Sequence, residues 1–233
     1  MFYTIKLKKM AYFPAFVFFT LAIGMAIMFT RNVTAKEVVA SASTPSLVID
    51  AGHGGIDGGA TAISGAKESD INLAIALRLQ KMAEFYGSET VMTRTDDNGA
   101  LDYSAGAYSE HQELVRRVEI ANAAANGVLI SIHQNFYPTA QPKGAQVLYA
   151  ANDSSRILGS ITQSNLISFL DPENRRVASP ANNIYVTSNA KCPTILVECG
   201  FMSNFAELEK LLTSGYQTSL AAVLMASYLQ YIS

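Results

Sequence analysis

The chain has 233 residues, 49% of them hydrophobic, which suits one domain with a substantial core. Its formal net charge is −2, and because residues 1–35 hold four positive charges and no negative one, residues 36–233 carry −6. Such an acidic domain lacks the basic surface by which proteins bind nucleic acid, so we exclude nucleic acid as a partner.

The N-terminal region has the pattern of an export signal. Three lysines precede an uncharged, apolar stretch at residues 11–30, and Arg31 follows it. The small residues of Val33-Thr34-Ala35 fit a signal-peptidase site, whereas about 20 apolar residues also suffice to span a bilayer. Residues 1–35 are therefore predicted to be either a signal peptide or an uncleaved membrane anchor. The lysines favour a cytoplasmic N-terminus, so the rest of the chain is expected outside the cytoplasmic membrane.

Beyond a linker at residues 36–45, short β-rich runs alternate with amphipathic helical patterns, which predicts one domain at residues 46–233. The predicted strands are Leu47–Asp50, Thr90–Thr93, Val128–Ile132, Ala145–Ala150, Ile184–Thr187 and Thr194–Val197. The predicted helices are Asp70–Tyr86, capped by Ser69 and stopped by Gly87, then Gln112–Asn126, Ser154–Leu170, Glu207–Leu212 and Tyr216–Tyr231. This alternation indicates an α/β fold whose sheet is at least partly parallel and covered by helices on both faces.

Residues suited to metal chemistry follow several of these strands. His53, His133 and Glu198 lie at or just past the ends of predicted strands, where the functional groups of open α/β sheets collect. Glu68 lies 15 residues after His53, just ahead of the first helix. Two imidazoles and one carboxylate bind zinc while leaving one position for water, and a second carboxylate can act as general base. The pattern indicates a metal-dependent hydrolase.

Other roles stay open for the first two of these residues. The segment AGHGGIDGG around His53 is glycine-rich like a phosphate loop, but it lacks the G-x-G-x-x-G spacing and no Lys-Ser/Thr follows, which excludes nucleotide binding. A structural hydrogen-bonding role remains for His53. Glu68 can instead cap the helix or interact with its dipole, and Asp70 competes with it for both the cap and the metal.

The roles of the remaining polar residues are less clear from the sequence. An ionised carboxylate at the end of a buried strand costs free energy if it has no partner, so Glu198 is predicted to face a metal-bound water or a cation. The alternative is a structural carboxylate that is satisfied by hydrogen bonds. His111 is predicted to be a solvated residue at a helix start, outside the site. Arg94 and Arg117 are either ion-pair partners or substrate anchors, and their spacing does not decide. Asn135 either orients a ligand or begins a turn.

The two cysteines are not expected to form a disulfide. A strand predicted between Cys192 and Cys199 would hold their Cα atoms roughly 20 Å apart. Both are therefore predicted to be reduced, with Cys199 on the opposite side of the strand from Glu198.

Six segments in sequence order carry a family resemblance: AGHGG, KESDINLAIALRLQ, TRTDD, RVEIANAAANGVLISIHQN, GAQVLYA and ILVECGFMSN. From residue 47 to about 230, the chain resembles zinc-dependent N-acetylmuramoyl-L-alanine amidases of the amidase-3 type. The resemblance implies a three-layer αβα domain with a mixed, six-stranded sheet. It also implies that one zinc ion is bound by His53, Glu68 and His133 and that Glu198 is the catalytic carboxylate. The implied reaction cleaves the amide bond between N-acetylmuramic acid and L-alanine in peptidoglycan.

The length, the apolar N-terminal segment and the ending CPTILVECGFMSN look most like the spore-cortex, germination-associated subgroup, whose members act on the way to muramic-δ-lactam. That resemblance implies a location in the cell wall or the forespore intermembrane space, with membrane contact through residues 11–30 if they are uncleaved. Two departures from the family are Ala51, where Pro is commoner, and Gln134, where Ala is commoner. Gln134 is predicted to point away from the metal.

Two other functions and one further partner are kept as alternatives. The alternative functions are a zinc carboxypeptidase that acts on cell-wall peptides and a non-catalytic peptidoglycan-binding protein of the same fold. The further partner is an accessory or activating protein, which the sequence does not identify.

Overall fold

A computed structural model of the chain describes residues 44–103, 107–181 and 183–233. Six strands lie in these ranges: β1 (Leu47–Ala51), β2 (Thr90–Met92), β3 (Val128–Asn135), β4 (Gln146–Tyr149), β5 (Ser179–Pro180) and β6 (Thr194–Phe201). The helices in these ranges are α1 (Glu68–Phe85), α2 (Glu110–Ala123), α3 (Asp153–Phe169), α4 (Tyr185–Asn189), α5 (Phe205–Leu211) and α6 (Ser214–Ile232). The predicted apolar segment at residues 11–30 lies outside the described residues. Within them, no helix combines the length and apolarity needed to cross a membrane.

The strands form one mixed sheet in the order β2-β1-β3-β6-β4-β5. The first four strands in this order are parallel, whereas β4 runs antiparallel to β6 and β5 runs parallel to β4. The central register places Ile49 beside Ile130, and Ile130 beside Ile195. The mixed six-stranded sheet confirms the predicted fold class.

Both faces of the sheet are covered, as the unbroken apolar character of its central strands requires. On one face, Ile130 and Ile132 pack in the larger core, which also holds Leu79 of α1 and Leu224 of α6. On the opposite face, Leu129 packs in a smaller core with residues of α2 and α4, namely Val118, Ala121 and Val186. The helices thus form two layers around the sheet, which confirms the three-layer prediction.

One predicted strand is wrong. Residues Ile184–Thr187, which the β-branched run IYVT assigned to a strand, enter the short helix α4 instead. Val186 is buried in the smaller core, and the Thr187 hydroxyl donates a hydrogen bond to the Ile184 carbonyl at 3.0 Å. Tertiary packing therefore overrides the local β preference, and the edge strand is β5, at Ser179–Pro180.

The first helix begins at Glu68, two residues earlier than predicted, and Ser69 is not its cap. The N-cap position is Lys67, which makes no capping bond through its side chain. The first-turn amides are satisfied by the preceding loop, because Glu68 N donates to the Ala60 carbonyl and Ser69 N to the Gly58 carbonyl. This pairing fixes Glu68 relative to the glycine-rich loop.

The cysteine predictions are confirmed. Cys192 and Cys199 are both free thiols. Cys199 lies in the larger core, on the opposite face of β6 from Glu198, and burial raises the pKa of its thiol well above the ordinary range. Such a thiol is unreactive and contributes to core packing rather than acting as a nucleophile or a metal ligand.

Candidate active site

The structure brings three of the predicted site residues together at one edge of the sheet. His53, Glu68 and His133 offer ligand atoms that all lie within 4.8 Å of one another. Glu68 Oε1 is 3.3 Å from His53 Nε2 and 3.0 Å from His133 Nδ1. The two imidazole rings meet edge to face, with centroids 4.9 Å apart. No other group of three or more metal-ligating side chains with this geometry is found in the described parts of the chain.

Glu198 lies directly beside this group. It is the register partner of His133 across β3 and β6, so the two side chains leave the same face of the sheet at the same level. Both residues lie inside their strands rather than at the ends, because β3 continues to Asn135 and β6 to Phe201. The register shifts just beyond this pair.

The electrostatics of the four groups fit a divalent metal. Glu198 Oε2 is buried and has no hydrogen-bond partner, and burial raises the pKa of this carboxyl. Burial acts to raise the pKa of Glu68 as well, but hydrogen bonds and charges of His133 and His53 hold it well below its usual range. For His53, burial favours the neutral ring, yet Glu68 and Asp57 raise its pKa to about 9. Two imidazoles, one ionised carboxylate and an orphaned carboxylate oxygen are a donor set that zinc accepts.

Two glycines make room for these ligands. A Cβ at Gly52 would overlap the His133 ring. A Cβ at Gly59, whose φ is +64°, would lie 2.7 Å from His53 Cδ2 and 2.8 Å from Glu68 Oε2. Gly52 and Gly59 of AGHGGIDGG therefore permit the close approach of His53, Glu68 and His133.

His53 itself occupies a left-handed backbone conformation, with φ of 61°. Such a conformation costs a non-glycine residue free energy, so the surrounding contacts must hold it. Asp57 supplies one such contact, because its Oδ2 accepts a 2.6 Å hydrogen bond from His53 Nδ1. With Nδ1 occupied by that bond, Nε2 is left facing Glu68 and is free to bind a metal.

Two buried arginines hold the backbone of the same loop. Arg94 Nε donates to the Ala51 carbonyl at 2.8 Å, and its Nη2 donates to the Gly52 carbonyl at 3.1 Å. Arg117 Nη1 donates to Ala51 as well, and its Nη2 donates to the His53 carbonyl at 2.6 Å. Both side chains are about 95% buried, so their role is to shape the loop rather than to anchor substrate.

The charge of Arg117 is balanced by two buried carboxylates. Its Nη1 lies 2.6 Å from Asp50 Oδ1 and its Nη2 lies 3.0 Å from Glu113 Oε1. Although burial acts to raise it, the Arg117 charge and hydrogen bonds from Ser131 and Thr93 lower the pKa of Asp50 to about 2. Glu113 in turn accepts hydrogen bonds from the backbone amides of Ala100 and Leu101. This ion network links β1, α2 and the loop before α2.

Gln134 points away from the metal ligands, as predicted. Its side chain is buried on the α1 side of β3, where Nε2 donates to Asn72 Oδ1 at 3.0 Å. Its backbone amide donates to Glu68 Oε1, and Asn72 Nδ2 lies 3.5 Å from the same oxygen. Gln134 therefore reaches the site only indirectly, through the groups that hold Glu68.

Two polar residues considered from the sequence, Asp70 and His111, lie outside the site. Asp70 is exposed, lies two residues after Glu68 in α1, and is not part of the group formed by His53, Glu68 and His133. His111 is exposed and stacks edge to face on Tyr185, as expected of a residue outside the site. Asn135 remains in β3, where its carbonyl accepts a hydrogen bond from Met202 N. Sequence reasoning missed Asp57, although an acidic residue four positions after His53 in a glycine-rich loop is a usable signal.

Replacing Asp57 by Ala is expected to weaken metal binding by about 10- to 100-fold, because the carboxylate behind a histidine ligand fixes its tautomer and orientation. Competition with a coloured chelator measures this affinity without any turnover. Asp70→Ala is the matched control, since it removes an exposed carboxylate two residues from Glu68 and should leave the affinity unchanged. An unaltered metal affinity in Asp57→Ala would contradict the assignment.

The profile of the Amidase_3 family, described as N-acetylmuramoyl-L-alanine amidase, matches residues 47–227. Among curated proteins, the chain is 30% identical over 236 residues to the germination-specific N-acetylmuramoyl-L-alanine amidase of Bacillus subtilis (strain 168). The match covers 98% of this chain and 96% of the relative.

Solved structures give the same result. The CwlD amidase from Clostridioides difficile, solved in complex with the GerS lipoprotein, is similar with a TM-score of 0.76 and 32% identity, over 80% of this chain and 98% of that one. The crystal structure of an N-acetylmuramoyl-L-alanine amidase from Clostridium difficile 630 is similar with a TM-score of 0.69 and 32% identity, over 81% and 97% of the two chains.

Proposed function

The chain belongs to the Amidase_3 family and is an N-acetylmuramoyl-L-alanine amidase of peptidoglycan, and on this premise we propose that it is a one-zinc enzyme of the spore cortex. In this proposal His53, Glu68 and His133 hold the metal and Glu198 is the catalytic carboxylate. The observation that carries it is the position of Glu198, whose buried Oε2 has no hydrogen-bond partner, at the same strand level as His133.

When bound, zinc would supply Lewis acidity, which would polarise the scissile carbonyl and lower the pKa of water so that it can lose a proton and attack near neutral pH. The residues of the chain do the rest. His53 presents Nε2 because Asp57 occupies its Nδ1, and the backbone amides of Ala60 and Gln134 hold Glu68 at 3.0 Å each. The ligand side chains are thereby fixed before substrate arrives.

Glu198 moves the proton. In its ionised form Oε2 accepts a proton from the attacking water, and it then returns that proton to the amine of L-alanine as the amide bond breaks. Burial favours the protonated form of Glu198, as its raised pKa indicates, which makes it a stronger base than an exposed carboxylate. No other carboxylate of the described residues is the register partner of a ligand histidine.

The alternatives are less well supported. A carboxypeptidase is disfavoured by membership of an amidase family. A non-catalytic binding protein is disfavoured because all four chemical groups are retained in contact or in register.

The cortex role rests on similarity. The Bacillus subtilis relative is named germination-specific, and the match to it extends over almost the full length of both chains. We include export through residues 1–35 and an accessory protein in the proposal. The latter has its precedent in the complex of the Clostridioides difficile amidase with a lipoprotein.

Complementation tests the cortex role. A spore-forming host that lacks its own cortex amidase should regain muramic-δ-lactam in its spore peptidoglycan when it expresses this chain during sporulation. The Glu198→Gln variant is the control and should restore none. Spores that stay free of muramic-δ-lactam, although the purified enzyme is active on peptidoglycan, would contradict the cortex role alone.

A further inference from the structure

A third side chain continues the row formed by His133 and Glu198. Gln146 of β4 is the antiparallel register partner of Glu198, so its side chain leaves the same face of the sheet with its Cβ about 5 Å away. Arg176, just before the edge strand β5, donates from Nη1 to Gln146 Oε1 at 2.9 Å. The guanidinium of Arg176 therefore lies one side chain beyond Glu198, on the side of the site opposite to His133.

Arg176 is held firmly in this position. Its Nε donates to the Lys143 carbonyl at 2.8 Å, and its guanidinium carbon lies 4.5 Å from the centroid of the Phe201 ring. Its backbone amide donates to Oδ1 of the buried Asn174 at 3.0 Å. Few rotamers satisfy all of these contacts together, so the cation is oriented before any ligand binds.

The charge of Arg176 has no counter-ion among the described residues. Its guanidinium donates to a backbone carbonyl and to an amide oxygen, and no carboxylate of the described residues lies within 4.0 Å of it. The adjacent Arg175, by contrast, has an exposed side chain and a counter-ion, because it pairs with Glu173 at 3.5 Å. An oriented, unpaired guanidinium beside a catalytic carboxylate in an acidic domain is the arrangement expected of an anion-binding group.

We propose that Arg176 binds a carboxylate of the peptide stem, on the leaving-amine side of the scissile bond. This inference rests on the proposed function, which places the bond at Glu198. An extended peptide advances about 3.5 Å per residue, so a stem that starts at Glu198 passes Arg176 within its first few residues. A guanidinium selects carboxylates over neutral hydroxyl and acetamido groups, and in the substrate the peptide carries the carboxylates.

Binding to the inactive Glu198→Gln protein tests this inference without turnover. The probes are two N-acetylmuramoyl peptides of the same length, one with all its carboxylates free and one with all of them amidated. Adding Arg176→Gln is expected to raise the Kd for the free acid about tenfold or more, as loss of a charge-assisted hydrogen bond implies, and to change the Kd for the amidated probe by less than about twofold. Arg175→Gln is the matched control and should leave both values unchanged.

Two results would overturn the inference. One is an unchanged Kd for the free acid in the Arg176→Gln protein. The other is an equal loss for both probes, which would make Arg176 a purely structural residue of the segment before β5. Thermal unfolding of each variant checks that the fold is retained. Because binding is measured without catalysis, failure of the amidase mechanism appears separately, as lack of turnover by the unmodified protein.

Discussion

Replacing Glu198 by Gln is expected to lower turnover on purified peptidoglycan by about 10²- to 10⁴-fold, the usual contribution of a general acid–base group. The substitution keeps the size of the side chain and removes the oxygen that accepts the proton. Glu198 makes no hydrogen bond to His53, Glu68 or His133. The substitution should therefore leave metal binding intact. Release of L-alanine N-termini measures the rate, and chelator competition measures the metal affinity.

The matched control is Glu209→Gln, which neutralises an exposed carboxylate of α5. It should retain the full rate. A Glu198→Gln protein that turns over at the rate of this control would remove Glu198 from the mechanism. A Glu198→Gln protein that has lost its metal would make Glu198 a fourth ligand instead of the base.

Replacing Arg117 by Met is expected to lower the free energy of unfolding by about 3–5 kcal/mol, because removing one member of a buried ion network leaves its partners buried and uncompensated. Asp50 and Glu113 are 1% and 4% exposed, and both depend on Arg117 for their charge balance. The substitution also removes the hydrogen bond to the carbonyl of His53, whose backbone is in a left-handed conformation. Urea unfolding, followed by circular dichroism, measures the change.

Arg116→Met provides the comparison on the same helix. Arg116 is exposed and pairs with Glu119 across one turn at 3.4 Å, so its loss should change stability by no more than about 0.5 kcal/mol. Equal stabilities of the two variants would show that the Arg117 network does not support the fold. A folded Arg117→Met protein with weakened metal binding would separate its effect on the loop from its effect on stability.

Strand and helix periodicity predicted most of the fold, because the central strands are buried on both faces and the helices have one apolar side. His53 and His133 were accessible to the same reasoning, since parallel strands bring residues distant in sequence to the same end of a sheet, whereas Glu68 was a candidate because it follows His53 by 15 residues, just ahead of the first predicted helix. The identity of the reaction depended instead on the resemblance of six collinear segments to a known family.

What the pattern did not predict depends on contacts between side chains and distant backbone. Arg94 and Arg117 were ambiguous because their partners are carbonyls of β1 and the loop after it, which no spacing rule identifies. Arg176 was missed because it becomes relevant only through Gln146, 30 residues away on the neighbouring strand. The strand predicted around Val186 failed because β-branched residues also pack well on a short helix against the sheet.

Mass spectrometry of muropeptides, after incubation of purified peptidoglycan with the purified protein, tests the central claim most directly. The protein should be freed of metal first and tested with and without added zinc. We predict that zinc restores the formation of peptides with free L-alanine N-termini and of glycan strands without peptide, and that Glu198→Gln forms neither. Peptides shortened at the C-terminus but still attached to muramic acid, or products that form equally well without metal, would contradict it.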